Sequence, residues 1–253
     1  MTVFYFTGTG NCLYVAKTIG GQLYSIPQLM KNKQFDFEDD IIGLVFPVYG
    51  WSIPKIVNQF INNIKIKANY TFVIGTYGMI AGSCIYNFVK HLKTKNIEID
   101  YADSIKMVDN YLPNFEMKNQ IKTLGKKNVN EKLNILVNNI NNRKNHIPYS
   151  GIGERFLTRI IKLMLSNILD GKSAQNYIVN ENCNKCGICI KLCPTGNIDI
   201  KDKVVFNSFC EVCYACVQNC PQNSIHLKNE KSSVRFRNEN ITLNEIIQAN
   251  NQK

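Results

Sequence analysis

The side chains with the most chemistry to offer are cysteines. The chain of 253 residues has 10 of them, and eight fall between positions 183 and 220. Cys183, Cys186, Cys189 and Cys193 form a C-x-x-C-x-x-C-x-x-x-C run closed by Pro194. Cys210, Cys213, Cys216 and Cys220 repeat that run, closed by Pro221. Each cysteine and proline recurs 27 residues later, as do Asn180 in Asn207 and Ile198 in Ile225, so the segment is an internal duplication. Three thiolates on one tight loop can reach three corners of an iron–sulfur cubane, and the fourth ligand must come from elsewhere. Zinc prefers C-x-x-C knuckles separated by longer loops, which this spacing does not match. Two 4Fe–4S clusters are expected.

The segment 177–227 resembles a bacterial two-cluster ferredoxin. That resemblance implies that the fourth cysteine of each run serves the other cluster. Cys183, Cys186, Cys189 and Cys220 would hold one, and Cys210, Cys213, Cys216 and Cys193 the other. It further implies short strands at Tyr177–Val179, Val204–Phe206 and Ile225–Leu227. Ile188, Ile190, Val212, Tyr214 and Val217 would shield the clusters from water.

A second constellation lies at the N-terminus. Thr7, Gly8, Thr9, Gly10, Asn11 and Cys12 separate an apolar strand pattern from a helical one. Backbone N–H groups, hydroxyls and the positive end of a helix make such a loop an anion site. It is not the dinucleotide fingerprint, because Leu13 stands where the third glycine belongs, and no Gly-Lys-Ser/Thr follows to make a Walker loop. Two later strand patterns end in loops of similar character: Pro47, Val48, Tyr49, Gly50 and Trp51, then Thr76, Tyr77 and Gly78. A flat tricyclic ring needs aromatic faces, which Tyr49, Trp51 and Tyr77 offer. It also needs backbone groups at its edge, which Gly50 and Gly78 permit.

The first loop is similar to the FMN-phosphate loop of flavodoxins, roughly T/S-x-T-G-N-T/S, with Cys12 where a hydroxyl is usual. The resemblance implies an FMN cofactor held by the three loops. The whole order resembles the flavodoxin–ferredoxin fusion proteins of anaerobic bacteria. It implies an electron-transfer iron–sulfur flavoprotein working between redox partner proteins. Alternatives are a reductase acting on a small quinone- or porphyrinogen-like substrate at the flavin, a cluster-only carrier whose α/β domain binds another phosphate, or an interaction module. No catalytic constellation stands out.

These groups must be positioned by regular elements. Buried strand patterns at 3–6, 41–46, 71–74 and 105–108, with a possible edge strand at 34–37, alternate with helical patterns at 11–23, 54–64, 83–93 and 128–141. The expected fold class is α/β, a doubly wound parallel sheet of the flavodoxin type, followed by a small α+β ferredoxin-like domain. The expected division is 1–150 for the FMN domain, 151–176 for a helical connector and linker, 177–228 for the cluster domain and 229–253 for a tail. Residues 109–127 read as loop. The apolar stripe of a helix at 154–169 is expected to pack on its own domain. In the tail, Thr242 and Glu245 form a capping box for a short helix.

Composition narrows the function classes. The formal net charge is +11, and residues 101–176 carry 12 basic against 6 acidic residues, more than half of the excess. No Lys/Arg stripe with interleaved aromatics points to nucleic acid. Cysteines concentrated in one segment argue against a secreted disulfide scaffold. No apolar run is long enough to span a membrane, and the first residues lack a secretory pattern. A reducing cytoplasm is the expected compartment. Cys12 and Cys84, outside the runs, are expected to be neutral buried thiols.

Overall fold

The computed structural model describes residues 1–165 and 172–253. Eleven strands, ten α-helices and two 3₁₀ helices are assigned among them. Five strands build the main sheet: β1 (Thr2–Tyr5), β2 (Gln22–Ser25), β4 (Ile41–Pro47), β6 (Tyr70–Tyr77) and β7 (Tyr101–Lys106), in the order β2-β1-β4-β6-β7. All four pairings are parallel. Numbered within the sheet this is 2-1-3-4-5, the doubly wound order of flavodoxin, whose ligands sit at the carboxyl ends of the strands. The central strands β4 and β6 are buried almost throughout, as a parallel sheet covered on both faces requires. At Gly43 the sheet face is filled by the Phe72 ring, which reaches within 2.0 Å of where a Cβ would stand.

Helices α1 (Asn11–Ile19), α2 (Ile26–Asn32), α3 (Lys55–Ile61), α4 (Cys84–Lys93) and α6 (Val129–Asn141) cover the sheet. Phe60 of α3 and Leu136 of α6 are fully buried. Each such side chain contributes about 1.5–3 kcal/mol over leaving it exposed.

Four expectations need correction. The helical pattern read as 11–23 stops at Ile19, because Gly20 and Gly21 both take positive φ and start the edge strand β2. The strand expected at 34–37 is β3 (Asp36–Glu38), which pairs with β5 (Lys65–Lys67) in a separate ribbon. The last sheet strand begins at Tyr101 rather than 105. Its polar Asp103, salt-bridged to Lys132 of α6 at 2.6 Å, masked the pattern. Within the expected loop 109–127 lies α5 (Met117–Lys122).

The helix α7 (Ile152–Leu165) departs further. Only Thr158 is buried, while Ile152 is 77%, Phe156 65% and Met164 73% exposed. The described part of the helix therefore turns its apolar stripe outward instead of packing it on its own domain. The remainder of the expected helix, 166–169, and the first linker residues 170–171 lie outside the described residues.

The C-terminal region holds α8 (Ile188–Lys191) and α9 (Ala215–Gln218) with two antiparallel pairs. These are β8 (Tyr177–Val179) with β11 (Ile225–Leu227), and β9 (Ile198–Ile200) with β10 (Val204–Phe206). The predicted strands 177–179, 204–206 and 225–227 are all present. Helix α10 (Leu243–Asn250) starts at the Thr242–Glu245 capping box. Cys213, Ala215, Ile241, Ile246 and Ala249 pack into the same apolar core as the sheet, while Cys189, Ile198, Val204, Val217 and Ile225 form a second core with Val108, Leu112 and Met117.

Candidate cofactor cleft and cluster sites

The loops that follow β1, β4 and β6 emerge at one end of the sheet and enclose a cleft of about 280 Å³. Of the predicted cofactor residues, Thr7, Gly8, Thr9, Asn11, Cys12, Pro47, Val48, Tyr49, Gly50, Trp51, Thr76, Tyr77 and Gly78 line it. Gly10 stands behind them as the N-cap of α1 at φ 96°, donating its N–H to Thr7 Oγ1 at 3.1 Å.

The first loop is held from its far side. The carbonyl of Thr7 accepts from Asn250 Nδ2 at 3.0 Å, that of Gly8 from Asn219 Nδ2 at 3.4 Å, and that of Thr9 from the Asn238 N–H at 2.9 Å. A trans peptide points its N–H opposite to its C=O, so drawing three successive carbonyls toward the C-terminal segments turns the next amides away from them. Asn11 is pinned in turn, donating to Val108 O and accepting from Asn238 Nδ2, both at 3.2 Å. The segment 229–253, expected only as a tail with a short capped helix, thus supports the loop through Asn238 and Asn250.

Cys12 meets Thr76 Oγ1 at 3.1 Å, and burial pushes its thiol up to about 12. The aromatic wall depends on a tight turn. Tyr49 and Ser52 exchange backbone hydrogen bonds at 2.9 and 3.0 Å, with Gly50 at φ 54° and Trp51 at φ 63° between them. Positive φ at both central residues is what a type I′ turn requires; Trp51 bears strain there that a glycine would not. Burial raises the Tyr49 hydroxyl well above its ordinary value.

Sequence reasoning missed a fourth and a fifth wall. Asp109, Asn110 and Tyr111 follow the fifth sheet strand, and Val212 and Tyr214 come from the second cysteine run. The first trio was recoverable, since it follows a strand of the same sheet. Val212 and Tyr214 carried no such signal, because only the tertiary fold brings them there. Burial raises the Asp109 carboxyl above its usual range, although the Tyr111 N–H donates to it at 3.1 Å.

The eight predicted metal-site cysteines fall into two neighbourhoods. The Cys189 thiol is pushed up to about 11 by burial first, then by nearby Cys220, Cys183 and Cys186. Burial leads again for Cys213, whose neighbours include Cys210 and Cys193, and for Cys216, beside Cys210, Cys213 and Cys193. Cys220 thus neighbours the first run, and Cys193 neighbours the second. Cys216 also feels Cys189, so the sets adjoin. Among the described residues no three such side chains converge as around one bare ion. A cubane ties each thiolate to its own iron, so its ligands stand apart. Backbone N–H groups already point at sulfur, Asn197 to Cys193 at 3.1 Å, Val212 to Cys210 at 3.3 Å and Ser224 to Cys220 at 3.4 Å.

The second neighbourhood abuts the cleft. A Cβ on Gly8 would stand 2.4 Å from the Cys213 carbonyl oxygen, so only glycine lets the first loop lie on the second cysteine loop. The donor set fits two cubanes. The cleft fits a phosphate-bearing flat ring, with amides and hydroxyls at one end and Tyr49, Trp51, Tyr77, Tyr111 and Tyr214 along its walls.

Comparisons with known proteins agree on the C-terminal region. Residues 153–239 match the family described as a 4Fe-4S dicluster domain. A search of curated proteins finds no match. Among solved structures, a two-electron reduced flavodoxin from Megasphaera elsdenii aligns at 18% identity over 41% of this chain and 83% of its own, TM-score 0.31. A putative flavoprotein from Bacteroides eggerthii aligns at 18% identity over 51% and 97%, TM-score 0.32. The flavodoxin-type fold rests on strand order and register, not on these overlaps. The C-terminal region is a 4Fe–4S two-cluster domain joined to a flavodoxin-like sheet, and the chemistry of that pair is electron transfer.

Proposed function

We propose that this chain is an iron–sulfur flavoprotein that relays electrons between a partner protein, two 4Fe–4S clusters and FMN. The observation that carries the reading is the shared wall: Val212 and Tyr214 of the second cysteine loop line the same cleft as the glycine loop. Cys183, Cys186, Cys189 and Cys220 ligate an outer cluster, and Cys193, Cys210, Cys213 and Cys216 an inner one. FMN supplies one- or two-electron chemistry and each cluster one-electron chemistry, so electrons can be split or combined between them. Thr7, Gly8, Thr9 and Asn11 bind the phosphate, while Tyr49, Trp51, Tyr77 and Tyr214 flank the ring and exclude water.

Cys186 is exposed whereas Cys213 and Cys216 are buried, so the outer site is where a partner protein can dock. The buried, protonated phenols of Tyr49 and Tyr214 put no full charge beside the ring. Among the described residues no helix is long and apolar enough to cross a membrane. The cysteine-rich, disulfide-free chemistry suits a reducing cytoplasm.

Anaerobic purification with iron, sulfide and flavin quantified on one sample tests the assignment. Eight irons, eight acid-labile sulfides and one FMN per chain are expected from two cubanes and one flavin. Iron at that level with no flavin retained, and none taken up from added FMN, would leave a cluster-only carrier.

A further inference from the structure

A second cavity, about 790 Å³, lies on the other side of Tyr49 and Trp51, between α3, α4 and α7. Its volume is in the range of sites for drug- or nucleotide-sized ligands. Lys55, His91, Arg155, Arg159 and Lys162 line it, against the single carboxylate of Glu211. That carboxylate is already engaged, accepting from the Ile56 N–H at 3.2 Å. The cations come from opposite walls, Lys55 from the start of α3 and the other three from α7, while Ile53, Pro54, Phe88 and Trp51 supply apolar surface.

Three independent features mark the cavity as built for an anion. Arg159 and Lys162 form no salt bridge among the described residues. The His91 Nε2 is buried with no hydrogen-bond partner, and an orphaned buried nitrogen is costly unless a ligand or water meets it. Helix α7 is inside out: its basic residues face the cavity while Phe156, Leu163 and Met164 face away. A helix retained for packing alone would be turned the other way.

We infer that this cavity is a binding site for an organic polyanion of about nucleotide size, carrying phosphate or clustered carboxylate groups, and that it shares Tyr49 and Trp51 with the cofactor cleft. Arg159 offers a forked donor suited to planar or tetrahedral oxyanions, one turn from Arg155, whose guanidinium lies over the Tyr86 ring and whose Nε donates to Gly151 O at 3.4 Å. The inference does not depend on FMN binding.

Calorimetric titration of the iron-loaded protein tests it, with pyrophosphate in one arm and citrate in the other, each before and after loading with one equivalent of FMN and removal of the unbound FMN. At least one probe should bind, equally in both FMN conditions, and Arg159→Ala/Lys162→Ala should weaken it by about tenfold or more. Both side chains are exposed, so the variant should keep its fold, checked by its iron content. The exposed α5 pair Lys118→Ala/Lys122→Ala should leave binding unchanged. The site is overturned if neither probe binds. It is equally overturned if FMN abolishes binding, which would put the anion in the glycine loop, or if both double variants weaken it alike.

Discussion

The two halves of the cysteine repeat share a spacing and a backbone but not an environment. Lys185 and Gly187 take φ of 57° and 76°, and their counterparts 27 residues on, Val212 and Tyr214, take 55° and 56°. Left-handed backbone at these positions lets three cysteines wrap one cluster. The first loop meets that demand partly with glycine and lies toward solvent, with Cys186 exposed. The second places a β-branched and an aromatic residue where such φ costs on the order of 1–3 kcal/mol each. Both of those side chains line the cofactor cleft. A strained residue that stays buried at a cleft points to a use for its side chain. One copy of the duplication has kept an open face, and the other has been fitted to the flavodoxin-like unit.

The comparison breaks most readily at the crossed ligand. Cys193→Ala should remove the inner cluster and leave the outer one, read as loss of one set of signals in electron paramagnetic resonance of the reduced protein. Loss of the outer set instead would mean that each run serves its own cluster. Gly8→Ala should come next in effect. Its Cβ has no room beside the Cys213 carbonyl, so the glycine loop and the inner loop must part. FMN should bind at least tenfold more weakly while iron content holds, and unchanged FMN affinity would refute the shared wall.

Tyr214→Gly sharpens the contrast, since it gives the inner loop the residue found at Gly187. Both clusters should be kept, backbone strain relieved and FMN weakened by about tenfold, on the order of one aromatic contact. Equal flavin affinity would leave the strain without a purpose. A milder loss is expected from Asn250→Ala, which removes a hydrogen bond to the Thr7 carbonyl with a net worth of about 1 kcal/mol. FMN should suffer more than riboflavin, because the loop it positions meets the phosphate. A loss equal for both would assign Asn250 to the core alone.

Much of this was legible in the sequence where residue type and local order carry the chemistry. The cysteine runs point to a two-cluster domain by spacing, and the three cleft loops reveal themselves by following apolar strand patterns. The strand β2 was hidden behind helix α1 because its four residues, Gln22–Ser25, have no apolar run. The reach of Asn219, Asn238 and Asn250 back to the glycine loop was invisible for another reason. Such contacts span more than 200 residues of sequence, and asparagine is so common here that none stands out. The outward stripe of α7 ran against the ordinary rule for amphipathic helices, so sequence alone pointed its apolar side inward.

The central claim is a single route with an outer entrance and an inner exit to the cleft. Stopped-flow reduction of the flavin in wild type and in Cys186→Ala, with a low-potential protein donor and with a small-molecule reductant, tests it most directly. The protein donor should reduce the flavin much more slowly in the variant, while the small reductant, which reaches the cleft by itself, should act at the same rate on both. Equal rates with the protein donor would contradict the route.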